Sequence, residues 1–215
     1  MFTKGEIIAL YNNRAGYYDI SANLYHLLGF REYAYRRKAI SALNLRQGDT
    51  VVELGCGTGL NFPLLYKKVS KEGQIIGVDI NARMLEKAKQ RALISGWNNI
   101  LLVQKDISEY ELPNEFDGVL STFALTLIPN YGRIIQNIEA QSKYDKNLVV
   151  LDLKQPDKLP LWLVKLGVAL TKPFGVSLDL ADRHPWEIMR KHFHNVSIEE
   201  LYFGFTYVAC VTKKK

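Results

Sequence analysis

The 215 residues predict an α/β fold, a doubly wound, mostly parallel sheet with helices on both faces. Two observations predict it. From residue 50 onward strand-like and helix-like stretches alternate, which is the pattern of βαβ units. The first of those strands, Val51-Val52-Glu53-Leu54, then breaks into the alternating glycines Gly55, Gly57 and Gly59. Such a bend turns a strand sharply into a helix, and its backbone can approach a ligand with no Cβ in the way.

The elements follow in order. Residues 1–48 precede the alternating core and hold Tyr17-Tyr18-Asp19, then a helical stretch with Leu24, Leu27 and Leu28 at i, i+3 and i+4. A second strand, Gln74 to Val78, ends in Asp79, and Leu85, Ala88 and Ala92 mark a helix after it. Ile100 to Lys105 reads as a third strand, followed by Asp106-Ile107, and Phe116 to Leu125 holds a fourth and the turn beyond it. Tyr131, Ile134, Ile135 and Ile138 give the next helix its apolar stripe. Leu148 to Leu153 is nearly continuous apolar, as a central parallel strand should be. Two final strands, 196–202 and 205–211, are separated at Gly204. The whole reads as one domain: residues 1–48 as an N-terminal helical segment, 49–153 as the ligand-binding core, 154–194 as an insert and 195–215 as a terminal strand pair.

Spacing decides which ligand the glycine bend serves. A dinucleotide fingerprint wants its third small residue three places after the second glycine, where this chain has Leu60. No Lys-Ser or Lys-Thr follows Gly59, so the phosphate loop of nucleotide triphosphatases is missing too. Asp79 lies about twenty residues beyond the bend, where an acid can accept from both hydroxyls of a ribose.

Glu53-x-Gly55-x-Gly57-x-Gly59, with Asp79, Asp106-Ile107 and the Ser121-Thr122 strand end in the same order, resembles the motif series of class I S-adenosylmethionine-dependent methyltransferases. The resemblance implies a Rossmann-like sheet of seven strands whose last strand runs antiparallel. It implies S-adenosyl-L-methionine as cofactor, held by Glu53, Gly55, Gly57, Thr58, Gly59, Asp79, Ile80, Met84, Asp106, Ile107 and Thr122. In it Asp106 accepts from the adenine amine, Ile107 covers the ring, and Thr122 faces the methionine end. The resemblance also implies that residues 1–48 are an N-terminal helical lid, with Tyr18 as the lid tyrosine that folds over the active site. Over the whole chain the resemblance is to the branch holding ubiquinone/menaquinone C-methyltransferases and bacterial phosphatidylethanolamine N-methyltransferases, which implies a small or lipid-like acceptor, a phospholipid amine or a quinone.

Composition narrows the rest. The chain carries 28 Lys+Arg against 22 Asp+Glu, a net charge of +6, and two cysteines, Cys56 and Cys210, too few for a disulfide framework. With no run of eighteen apolar residues and no signal pattern at the N-terminus, the expectation is a cytoplasmic protein. Residues 156–174 are apolar nearly all round apart from Lys158, Lys165 and Lys172, spaced every seven residues. Three placements fit that segment: packed against the sheet edge, roofing an apolar acceptor pocket, or lying peripherally on an anionic membrane. Nucleic acid is not expected as a partner, because Ser121-Thr122-Phe123-Ala124 stands where amino-methylating DNA enzymes carry Asn/Asp-Pro-Pro-Tyr/Phe.

Methyl transfer from a sulfonium loses positive charge as it proceeds, so positioning and exclusion of water can do much of the catalysis. Where the acceptor must lose a proton, His184 or Asp19 is the candidate base, with Tyr18 as lid; Arg183 beside His184 is a candidate anion binder. His26, His192 and His194 lack partners at metal-ligand spacing, and no metal is expected. The alternative is a non-catalytic S-adenosylmethionine-binding partner protein, which would keep the glycine bend, and the third choice is an NAD(P)-dependent oxidoreductase.

Overall fold

The computed structural model describes residues 29–141, 147–156, 160 and 183–211. Tyr18, Asp19, the 157–159 and 161–174 stretches of the apolar insert and the lysine tail lie outside those residues.

The chain runs α1 (Glu32–Ala42), β1 (Thr50–Leu54), α2 (Phe62–Val69), β2 (Gln74–Asp79), α3 (Ala82–Ile94), β3 (Ile100–Gln104), β4 (Gly118–Thr122), a 3-10 turn (Leu125–Leu127) and α4 (Tyr131–Gln141). Then come β5 (Asn147–Leu153), α5 (Pro185–His192), β6 (Val196–Leu201), a second 3-10 turn (Tyr202–Gly204) and β7 (Thr206–Val211). Seven strands form one sheet in the order β3-β2-β1-β4-β5-β7-β6. The first five pair in parallel, and β7 runs antiparallel between β5 and β6.

Strand chemistry explains this layering. In β1, Val51 and Val52 are both fully buried although they point to opposite faces. Val51 packs with Ile40 of α1, Phe62 and Leu65 of α2 and Ala88 of α3, whereas Val52 packs with Ile134, Ile135 and Ile138 of α4 and Met189 of α5. A sheet covered on both sides has no polar face, which is why its strands read as continuous apolar runs. β3 and β6 are the two edge strands, and in both half-buried residues are interspersed with exposed ones.

Strand order reverses between β1 and β4, which neighbour each other although β2 and β3 intervene in sequence. Outside the carboxyl ends of strands at such a switch point the flanking loops part and leave a crevice. The glycine bend after β1 and the turn after β4 both open there.

Candidate active site

Each glycine of the bend has its own reason. Gly55, Gly57 and Gly59 all take positive φ (76°, 53° and 74°), a region costly to other residues. A Cβ on Gly55 would lie 2.4 Å from the Cβ of Ala124, and one on Gly59 would lie 2.5 Å from the ring of Phe62. Gly57 differs: nothing comes within 4 Å of its Cβ position, because that side faces the crevice. The bend is tied down by β2, with Gly55 and Cys56 N–H donating to the Val78 carbonyl at 2.8 and 3.0 Å. Gly57 N–H donates to Asp79 Oδ2 at 2.8 Å.

Asp79 thus does two jobs. Its Oδ1 accepts from Asn81 N–H at 2.9 Å, so both oxygens are aimed by backbone donors while the side chain still borders the cavity. Burial pushes its carboxyl above the ordinary aspartate range, and the backbone N–H bonds pull it part of the way back. Asn81 caps α3, accepting from Arg83 and Met84 N–H at 3.0 and 3.2 Å. Asp106 is held likewise by Ser108, whose N–H and hydroxyl both donate to Oδ1 at 2.8 Å.

The cavity has a volume of about 280 Å³ and is bordered by Gly55, Gly57, Thr58, Asp79, Ile80, Met84, Asp106, Ile107 and Thr122. Nine of the eleven residues that the sequence assigned to cofactor contact therefore meet at one crevice. Gly59 and Glu53 are the other two, and neither lines it. Gly59 shapes the bend against Phe62, while Glu53 stands behind the wall, 1% exposed, at the centre of a polar network.

That network was not foreseen. Asn61 Nδ2 donates to Glu53 Oε1 at 2.6 Å and to Thr122 Oγ1 at 2.9 Å. Arg36 of α1 donates from one terminal nitrogen to Thr122 Oγ1 at 2.8 Å and Asn61 Oδ1 at 3.2 Å, and pairs with Glu32 at 2.6 Å through the other. Arg36 also borders the cavity. Glu53 Oε2 is left without a hydrogen bond. Burial pushes the Glu53 carboxyl up to about 7, against opposing pulls from the Asn61 hydrogen bond and the Arg36 charge. Its folded-state value lies above that of the unfolded chain, so the protonated form stabilises the fold at low pH, and this contribution is lost as pH rises through about 7. Glu53→Gln should therefore gain on the wild type as pH rises: the difference in melting temperature between the two should widen by on the order of 5 °C between pH 5 and 8. Parallel melting curves for the two proteins would leave Glu53 without that role.

His184 does not line the cavity. It opens α5, 3.2 Å from Glu187 and 4.7 Å from the Trp186 ring, and its N–H donates to the Tyr131 hydroxyl. Arg183 is not an open anion binder either: it is 8% exposed and donates to the Thr126 carbonyl at 2.7 Å. From the other side Asp152 accepts from Thr126 N–H at 2.9 Å, so this peptide is clamped at both ends. The clamp fixes the turn leading into Leu127, Ile128, Pro129 and Asn130, which complete the cavity wall. Burial raises Asp152 to about 6. Cys56 and Cys210 are both free and buried. Among the described residues no cluster of side chains could hold a metal, and no helix is long and apolar enough to cross a membrane.

Residues 45–182 match the methyltransferase domain family. The chain belongs to it. Among curated proteins it is 28% identical over 155 residues to the demethylmenaquinone methyltransferase of Staphylococcus saprophyticus, covering 71% of this chain and 64% of that one. To the ubiquinone/menaquinone biosynthesis C-methyltransferase UbiE of Coxiella burnetii it is 29% identical, covering 71% and 61%. The chain thus spans a little over three fifths of the length of these relatives. Its fold is that of S-adenosylmethionine-dependent methyltransferases: a solved example from Aquifex aeolicus superposes with a TM-score of 0.56 at 18% identity, covering 82% of this chain and 89% of that one.

Proposed function

We propose that this methyltransferase domain transfers the methyl group of S-adenosylmethionine to a small quinone-type acceptor in its reduced, hydroquinone form. The observation that carries the cofactor is Asp79, aimed by Gly57 and Asn81 at a crevice that the missing Gly57 side chain leaves open. Asp79 takes the ribose hydroxyls, Asp106 with Ile107 takes the adenine, and Thr122, fixed by Arg36 and Asn61, fronts the methionine end. A pyrophosphate would meet a carboxylate there, and the bend has neither the lysine nor the spacing that suits one.

When bound, the cofactor supplies an electrophilic methyl on a cationic sulfur. The chain's own residues position and exclude: the half-buried apolar side chains of Leu127 and Ile128 line the cavity and limit water at the reacting atoms. Transfer to a ring carbon would form the C–CH3 bond as the S–CH3 bond breaks with its electron pair left on sulfur, and the displaced ring hydrogen would leave as a proton once water returns to the cavity. An acceptor already ionised at a ring oxygen needs no dedicated base, in keeping with His184 standing off the cavity.

The acceptor class is supported by what the curated relatives are named for and by the apolar wall at Leu127, Ile128 and Pro129. A phospholipid amine is the second reading, supported by the basic, apolar segment after β5. Purified protein given radiolabelled S-adenosylmethionine with a membrane lipid extract, and separately with a water-soluble extract, separates these. Label in a quinone fraction is the expected result; label in phospholipid favours the second reading, and label confined to water-soluble products defeats both.

A further inference from the structure

Beyond β4 the backbone does something a bulky residue seldom does: Phe123 takes φ 55°, in the left-handed region that favours glycine and asparagine. Nothing in its backbone role calls for phenylalanine. Its N–H donates to the Leu151 carbonyl at 2.7 Å, a bond that glycine would make as well. The ring is therefore what the position retains. That ring borders the cavity, with the Arg36 guanidinium 5.2 Å from its centroid.

Behind it runs a column of aromatic side chains. Phe30 lies 6.0 Å from Phe123, and packs edge-on against Tyr35 at 5.3 Å and Tyr202 at 5.1 Å. Tyr202 and the adjacent Phe203 also have positive φ, 47° and 56°. Of the five such residues other than glycine among those described, the remaining two are Asn44 and Ser70, small polar types suited to it. The three bulky exceptions thus fall in one patch, which runs from the cavity to the 81%-exposed Phe203. Of the three, Phe123 is the one that borders the cavity, where unfavourable backbone is characteristic of functional positions.

We propose that Phe123 is the residue that selects a flat aromatic acceptor, its ring and the Arg36 guanidinium forming the surface that an electron-rich acceptor ring lies against. This rests on the hydroquinone reading above and names the residue that enforces it. An aromatic acceptor gains aromatic contact and a neighbouring cation for an ionised ring oxygen, whereas an alkylamine headgroup gains neither.

Phe123→Gly relieves the backbone but also removes a ring packed against the core, so Phe123→Leu, which keeps apolar bulk without an aromatic face, is measured beside it and should show the same rise in KM. The probes are 1,4-naphthoquinol and vesicles of phosphatidylethanolamine, with S-adenosylhomocysteine affinity measured by calorimetry. For Phe123→Gly, the KM for naphthoquinol should rise about tenfold or more while the S-adenosylhomocysteine Kd stays within about threefold, and Phe123→Tyr should keep both near wild type. Unchanged KM in Phe123→Gly overturns the inference, and so do parallel losses in KM and Kd in both Phe123→Gly and Phe123→Tyr. Wild type that methylates phosphatidylethanolamine and not naphthoquinol, or neither, overturns the hydroquinone reading itself and this inference with it.

Discussion

Replacing Asp79 with alanine should weaken S-adenosylhomocysteine binding by about a hundredfold or more. Two losses combine. The carboxylate is the acceptor proposed for the ribose hydroxyls, and hydrogen bonds to a charged group contribute about 1.5 to 3 kcal/mol each. It is also the clasp for Gly57 and Asn81 N–H, so the bend itself loosens when it goes. A hundredfold loss corresponds to about 2.7 kcal/mol. The readout is thermal: ligand at about one hundred times its wild-type Kd should stabilise the wild type by about 2.7 kcal/mol and leave Asp79→Ala nearly unmoved. Asp79→Asn keeps one oxygen for the clasp and should fall between the two. Equal shifts in wild type and alanine variant would remove Asp79 from the binding site.

The second large effect concerns Gly55. Its alanine variant sets a Cβ 2.4 Å from that of Ala124, in backbone at φ 76° that alanine resists. Left-handed backbone costs about 1 to 2 kcal/mol, and overpacking a tight contact about 1 to 3 more. At about 2 to 4 °C per kcal/mol for a chain of this size, the melting temperature should drop by roughly 5 to 15 °C. Gly57→Ala is the contrast. Its Cβ meets no protein atom within 4 Å, so it should cost only the backbone term, about 1 kcal/mol, yet project a methyl group into the space a ligand needs. Loss of stability at Gly55 with retained fold but weakened ligand binding at Gly57 is the expected pair. Equal melting temperatures for the two variants would contradict the assigned roles.

The legible parts of this fold are those whose signal is local. The bend from Gly55 to Gly59 and the acid ending β2 each sit within a few residues of the strand that presents them, so local spacing locates them, and the family resemblance picks out the Asp106-Ile107 pair after β3. The helix stripe of Ile134, Ile135 and Ile138 is legible for the same reason and is buried as expected. Long-range partners are another matter. Arg36 meets Thr122 across 86 residues, and Asn61 meets Thr122 across 61, and nothing in the local pattern of either residue announces the other. The same limit misplaced Glu53: its position in the motif suggested contact with ligand, whereas its side chain points into the layer between β1, α1 and α2 and acts through Asn61. Gly204 correctly marked the break between the last two strands, but the left-handed Tyr202 and Phe203 before it are invisible in a sequence, since φ is fixed there by packing against propensity. Asn81 had a usable signal, a helix-capping residue directly after a strand end, that the motif series passes over.

On this reading the glycine bend after β1, with the carboxylates beyond β2 and β3, holds an adenosyl group. A crystal structure of the protein soaked with S-adenosylhomocysteine tests it most directly. The account predicts the ribose hydroxyls within hydrogen-bonding distance of Asp79, the adenine beside Asp106 and Ile107, and the amino-acid end toward Thr122. Density for the molecule at any other site, or an adenine at the Thr122 end, would contradict it.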